Sequence, residues 1–206
     1  MQTKQLLSGS LSKKGTVLGN LSGCAQALEI AALKEQCEHP LVVICSDTVD
    51  AARLENELKY LCANDEVTIF RDYETLPYDV MSPHQDIISS RIDFLSRAIG
   101  LTKGIVITSL HAIAQRLAPV EFMVQNAFNF KVGDAKDFTY MRNMLVERGY
   151  LHVQQVLSPG EIATRGDILD VYPMGLEAPL RINFEFDEIE SISYFDVQTQ
   201  LSQKKV

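Results

Sequence analysis

No run of about 18 apolar residues occurs in the chain, and no charged-then-apolar leader with a cleavage site opens it. The sequence therefore predicts neither a membrane span nor an export signal, and the expected location is the cytoplasm. Basic charge is also scarce: 19 Lys and Arg face 27 Asp and Glu, for a net charge of -8. The deficit is evenly shared, with 8 against 12 from Met123 onward and 11 against 15 before it. With no basic domain, autonomous tight binding to DNA phosphates is not expected. The four cysteines, Cys24, Cys37, Cys45 and Cys62, are separated by 13, 8 and 17 positions, which matches no paired ligand spacing and argues against zinc. Reduced, mostly buried thiols of a cytosolic protein are the simplest account. No nucleophile elbow or metal cluster is evident, and His39, His84, His111 and His152 have no Ser, Cys or carboxylate at a telling spacing.

What is present is a globular pattern. A chain of 206 residues, 46% of them hydrophobic, is long enough to bury a substantial core, and at ~100 to 200 residues per domain it suggests one large domain or two modest ones; two, 1–122 and 123–206, is the favoured division. In the first, the apolar runs Leu41–Cys45 and Gly104–Thr108 read as buried parallel strands, and Val67–Phe70 as a third. Between them Ala51, Leu54, Leu58 and Leu61 recur at helical spacing, so the fold class is α/β. Ser82 and Gln85, with Pro83 between them, form a capping-box pair that predicts a helix carrying the stripe Ile88, Ile92, Leu95 and Ile99, with Gly100 at its end and His84 in its first turn. After Pro119 the pattern changes to a helix near Phe138–Arg148 and closely spaced strands from Val153 to Phe195, a small α+β domain. Phe186–Ile189 reads as a hairpin tip, and the polar residues after Gln200 show no terminating feature.

Two places invite a chemical reading. Val17–Gln26 follows a short apolar stretch and opens a helix, as a phosphate-binding loop does, and it has Gly19 and Gly23. It lacks the rest: Ala25 carries no charge and Gln26 is a poor substitute for a magnesium-binding hydroxyl, so nucleotide hydrolysis here is not expected. Arg165 and Arg181 lie in two strand-like runs, Ala163–Tyr172 and Leu180–Phe186. In the second, alternation sends Ile182, Phe184 and Phe186 to a core and Arg181, Asn183 and Glu185 outward. An outward Arg on a rigid strand suits capture of a partner's carboxylate, the alternative being a solvated pair with Glu185 or Asp187. Asp167 and Asp170, read as lying in one strand, project to opposite faces and cannot act as a catalytic pair.

Tyr73–Asp79, Ser82–Arg91 and Ala163–Gly175 together make the chain resemble the amino-terminal region of bacterial transcription-repair coupling factors (Mfd), over essentially its whole length. The resemblance implies a region similar to the excision-repair protein UvrB. Residues 1–122 would be an incomplete, degenerate P-loop NTPase-like domain, with Cys24, Ala25 and Gln26 where an intact loop has Gly-Lys-Thr, and 123–206 a small UvrA-binding domain. UvrB's damage-engaging β-hairpin has no room between Leu76 and Ser82. Arg165 and Arg181 match arginines used in the UvrA contact, with Phe184, Glu185 and Phe186 beside them; Glu185 departs from relatives that carry an aromatic there. The resemblance further implies a non-catalytic recruitment module without a cofactor of its own. ATP and magnesium would belong to the translocase motor of the full-length protein, whose other partners would be RNA polymerase, double-stranded DNA and its own carboxy-terminal region, the last through an autoinhibitory contact. An ATPase half-site and a damaged-DNA-binding domain are the competing readings.

Overall fold

The computed structural model of the protein describes residues 17–62, 67–76 and 79–206. Pro77 and Tyr78, in the block Tyr73–Asp79, lie outside the described residues. The first elements are α1 (Ala25–Gln36), β1 (Leu41–Cys45), α2 (Thr48–Leu61), β2 (Val67–Phe70), α3 (Gln85–Ala98), β3 (Ile105–Ser109), α4 (Leu110–Ala114), α5 (Val120–Gln125) and α6 (Phe138–Glu147). Six strands follow: β4 (Leu151–His152), β5 (Glu161–Arg165), β6 (Ile168–Val171), β7 (Leu180–Glu185), β8 (Glu188–Phe195) and β9 (Ser202–Lys205). The architecture is mixed α/β with one parallel sheet and one further sheet. Two compact units divide the chain, one running to Asp72 and resuming over Arg97–Arg116, the other made of Tyr73–Ser96 and Leu117–Val206.

In the first unit, β3 lies between β1 and β2 in a parallel sheet, with Ile105 opposite both Leu41 and Val67. Every β3 residue is buried, as a strand flanked on both sides should be, and Ile105 and Ile107 meet Ala27 of α1 and Leu54 and Leu58 of α2 in one core. The expectation that Leu41–Cys45 is equally buried is corrected: among the described residues β1 pairs on one side only, and Val42 and Ile44 are exposed. Asp47 caps α2 by accepting the Asp50 N–H at 2.8 Å, and Ser109 caps α4 by accepting that of Ala112 at 3.2 Å.

In the second unit, α3 begins later than the capping box predicts. Gln85 is its first residue, and His84 precedes it with its carbonyl accepting the Ile88 N–H and its Nδ1 the Asp86 N–H. The predicted stripe is only partly covered, and the buried positions are Ser89 and Arg91. Both have specific work: the Ser89 hydroxyl accepts the Gly175 N–H at 2.9 Å, and the Arg91 guanidinium lies 3.9 Å from the centre of the Tyr73 ring. Gly175 has φ +90, a backbone conformation that favours glycine, and a Cβ there would stand in ordinary contact, 3.4 Å from the Asp93 Cα and N of α3.

The second sheet follows chain order, β4 to β9, antiparallel except where β4 runs beside β5. Asp137 caps α6 by accepting the Tyr140 N–H, and α6 lays Met141 and Leu145 on one face, against Ile162, Leu169, Ile182, Ile189 and Ile192. A smaller cluster, Val156, Ala163 and Phe195, is buried separately. One expectation is overturned here. Ala163–Tyr172 is not one strand but a hairpin that turns at Gly166 and Asp167, so Asp167 sits in the turn and Asp170 in β6. The sheet also holds a strand that the sequence pattern does not announce, Ser202–Lys205, which pairs with β8 as the sixth strand.

Candidate functional site

The two hairpins of this sheet, β5–β6 and β7–β8, turn at the same end. Gly166 adopts φ +59 in the first turn, and the Asp167 carbonyl accepts the Phe184 N–H at 2.9 Å, which fastens one tip to its neighbour. In the second turn Phe186 and Asp187 both have positive φ, 48 and 63, the backbone of a type I′ hairpin. That geometry normally selects Asn or Gly. A phenylalanine there breaks the local rule, and it is 96% exposed, so no core contact explains it.

The five partner-binding residues expected from sequence thus separate. Arg165, at the end of β5, and Glu185, at the end of β7, are exposed with Phe186 on the hairpin-tip surface. Phe184 is in the core, its ring edge-on to Phe138 with centroids 5.4 Å apart. Phe186 was expected inside with Ile182 and Phe184, but β7 ends at Glu185 and the alternation ends with it.

Arg181 points away from the Ile182 side of β7, as alternation predicts, yet the carboxylate it grips is in its own chain. Its Nε donates to Asp170 Oδ1 at 2.7 Å and its Nη2 to Asp170 Oδ2 at 2.8 Å, a bidentate pair across adjacent strands. Its Nη1 donates to the Gln200 carbonyl at 3.1 Å and the Ser202 hydroxyl at 3.2 Å, and the guanidinium lies 4.8 Å from the Phe195 ring centre. Asp170 is 1% exposed. Its hydrogen bonds and charge push the Arg181 guanidinium above its ordinary value, against the opposing effect of burial. Arg181 thereby joins β6 to the loop that leads into β9.

Asp170 is the residue that sequence reasoning missed. The signal was there: once Gly166–Asp167 is taken as a turn, β6 and β7 run antiparallel and Asp170 falls directly opposite Arg181.

In the first unit, the loop-like segment reaches α1 through Gly23 at φ +56 and Cys24, whose side chain makes no capping bond. Gln26 is committed elsewhere: its Oε1 accepts from Arg53 Nη2 at 2.9 Å, while Arg53 also pairs with Asp50 and Glu57. Of the cysteines, Cys45 and Cys62 are buried, Cys37 is partly buried and Cys24 is exposed. Among the described residues no group of three or more His, Cys, Asp or Glu could hold a metal ion, and no helix is long and apolar enough to cross a membrane.

Residues 128–206 match the UvrB interaction domain family. The chain is similar to the transcription-repair-coupling factor of Haemophilus influenzae, 44% identical over 184 residues, which cover 89% of this chain and 16% of the relative. To that of Escherichia coli it is 40% identical over 190 residues, 92% of this chain and 16% of the relative. To that of Bacillus subtilis it is 28% identical over 189 residues. The chain thus spans about a sixth of the length of the curated relatives it matches, 16% in each of these.

Proposed function

The chain belongs to the transcription-repair-coupling factor family, as part of its N-terminal region, and from that premise we propose that it is a non-catalytic module that recruits the excision-repair protein UvrA. The observation that carries this reading is the hairpin-tip surface, where Arg165, Glu185 and Phe186 are exposed together within the span of the UvrB interaction domain match. A guanidinium fork and a large aromatic on short, hydrogen-bonded turns are the side chains that dominate protein interfaces, and little conformational freedom is lost when rigid turns dock. Arg165 is the direct anchor, free to meet a UvrA carboxylate. Arg181 and Phe184 support the surface from behind, Arg181 through Asp170 and Phe184 through the core.

The same reading takes 1–122 as the UvrB domain 1-like part, degenerate at Gly19, Gly23, Ala25 and Gln26, and 123–206 as the UvrA-binding part. In the longer protein this module would bring UvrA to RNA polymerase stalled at a lesion, while the motor supplies ATP-driven translocation on double-stranded DNA. Contact with the carboxy-terminal region would mask the module at rest. The commitment of Gln26 to Arg53 supports the view that this part binds no nucleotide, and the acidic balance speaks against direct DNA binding. The work is expected to take place in the cytoplasm.

Calorimetric titration of the chain into UvrA tests the proposal. Saturable binding is expected, and Arg165→Ala should weaken it by about 2 kcal/mol or more, some thirtyfold, with unchanged circular dichroism. Undiminished binding by a folded Arg165→Ala variant would move the contact off this surface, and no binding by the wild-type chain would remove the recruitment reading.

A further inference from the structure

The tip of the β7–β8 hairpin carries two features that work against it. Phe186 holds φ +48, which a bulky side chain resists, and Glu185 lies directly opposite Glu188, so two exposed carboxylates face each other across the last rung. The Phe186 side chain gains no core contact in return. Such an arrangement persists only where its surroundings over-determine it.

Backbone bonds on both sides do so. On the β6 side the Asp167 carbonyl accepts the Phe184 N–H. On the other side, β9 reaches β8 at Ser193 and Phe195, and at the tip end that edge is taken by the segment 131–136. There the Lys136 N–H donates to the Asp187 carbonyl at 2.7 Å and the Gly133 N–H to the Ile189 carbonyl at 2.8 Å. The Ile189 N–H returns a bond to the Asp134 carbonyl at 3.0 Å, and Ala135 bridges to Glu188. The segment is itself closed as a turn: Asp134 Oδ2 accepts the Lys131 N–H at 3.1 Å, and the Asp134 N–H donates to the Lys131 carbonyl at 3.1 Å. It runs straight into Asp137, the cap of α6, and is thereby tied to a helix packed on the sheet.

We infer that the 131–136 turn positions the β7–β8 tip for binding: Asp134 closes the turn, the Lys136 N–H fixes the Asp187 carbonyl, and Phe186 is held outward before a partner arrives. A partner that docks on the tip then has no loop to order, which favours association. Asp134 is a positioning residue that acts through Phe186. The inference rests on the recruitment reading for the identity of the partner, UvrA.

Nitrogen-15 relaxation on the free 206-residue chain, with calorimetry against UvrA, tests this. In the wild type the Phe186 and Asp187 amides should show order parameters of about 0.85, those of rigid backbone, and values below about 0.6 would overturn the inference without any variant. Asp134→Ala leaves every backbone donor in place, and it should lower those order parameters and weaken UvrA binding about tenfold. Lys136→Pro, which removes the N–H that holds Asp187, should act in the same direction. In a Phe186→Ala background, Asp134→Ala should change the affinity by less than about twofold, a coupling that a merely structural role would not produce. Equal losses in the two backgrounds, or wild-type affinity in a variant whose tip has become mobile, would overturn the positioning role and leave the recruitment reading standing. No UvrA binding by the wild-type chain would remove that reading and this inference with it.

Discussion

Asp170 and Arg181 face each other across β6 and β7, and the buried carboxylate holds the guanidinium through two bonds of 2.7 and 2.8 Å. An arginine that looks, in sequence, like a hand extended to a partner is closed on a residue of its own sheet. Removal of either member leaves the other as an unpaired charge in a poorly solvated place.

Asp170→Ala is therefore expected to destabilise the fold by about 3 to 5 kcal/mol, and Arg165→Ala to change it by less than about 0.5. Urea denaturation of the two variants checks the contrast. If Asp170→Ala unfolds at the wild-type midpoint, the pair contributes no structural support. Arg181→Ala should resemble Asp170→Ala, so any loss of UvrA binding in that variant has to be measured on the fraction that is folded.

Phe186 should show the opposite relation between stability and binding. Its side chain is exposed, and its φ of +48 is strained for a bulky residue, so Phe186→Gly is expected to stabilise the hairpin by about 1 kcal/mol. The same variant should bind UvrA less tightly. Thermal unfolding and calorimetry on one preparation decide the matter, and a variant that is less stable than wild type would show that the aromatic supports the turn.

Burial raises the Tyr150 hydroxyl above its ordinary value of 10.0, with a smaller opposing effect from the Met174 N–H it accepts at 3.3 Å. A raised value means that the folded state holds the proton more tightly than the unfolded chain. The resulting stability is fully present below the unfolded value and is lost as the pH rises through the folded one. Above about pH 10 the wild-type chain should lose stability faster than Tyr150→Phe. Parallel alkaline curves for the two proteins would rule out this contribution.

Gly175→Ala puts a side chain at φ +90, where an L residue is strained, with its Cβ in contact with the backbone of Asp93 at 3.4 Å. A loss of at least about 1 to 2 kcal/mol is expected, with weakened amide protection at Gly175, whose N–H reaches Ser89. Hydrogen exchange at that amide tests the contact directly. Unchanged protection would mean that α3 yields to the added methyl.

The periodic elements were legible in the sequence. Val67–Phe70 and the stripe of Ala51, Leu54 and Leu58 were readable because one consistent burial pattern selected each residue. Features set by a single neighbour were not. Nothing in Leu41–Cys45 reveals that Val42 and Ile44 are exposed, and Ser82 satisfies the capping rule although His84 holds the helix start. Ser202–Lys205 has no apolar side chain to announce a strand, since its position depends on the backbone of β8. At the candidate site, alternation correctly sent Arg181 outward but could not identify its partner, and it wrongly carried Phe186 inward because the strand stops one residue earlier.

The strict chain-order succession of β4 to β9 has a kinetic consequence. Each strand docks on the one made just before it, so every closure spans a short loop, and the sheet that presents Arg165 and Phe186 is of the kind that assembles quickly and in sequence. The parallel sheet is different, because β3 must enter between β1 and β2 after an intervening stretch that belongs to the other unit. During synthesis on the ribosome, the hairpin-tip surface can form as soon as its own strands emerge, one hairpin after another, ending with Ser202–Lys205.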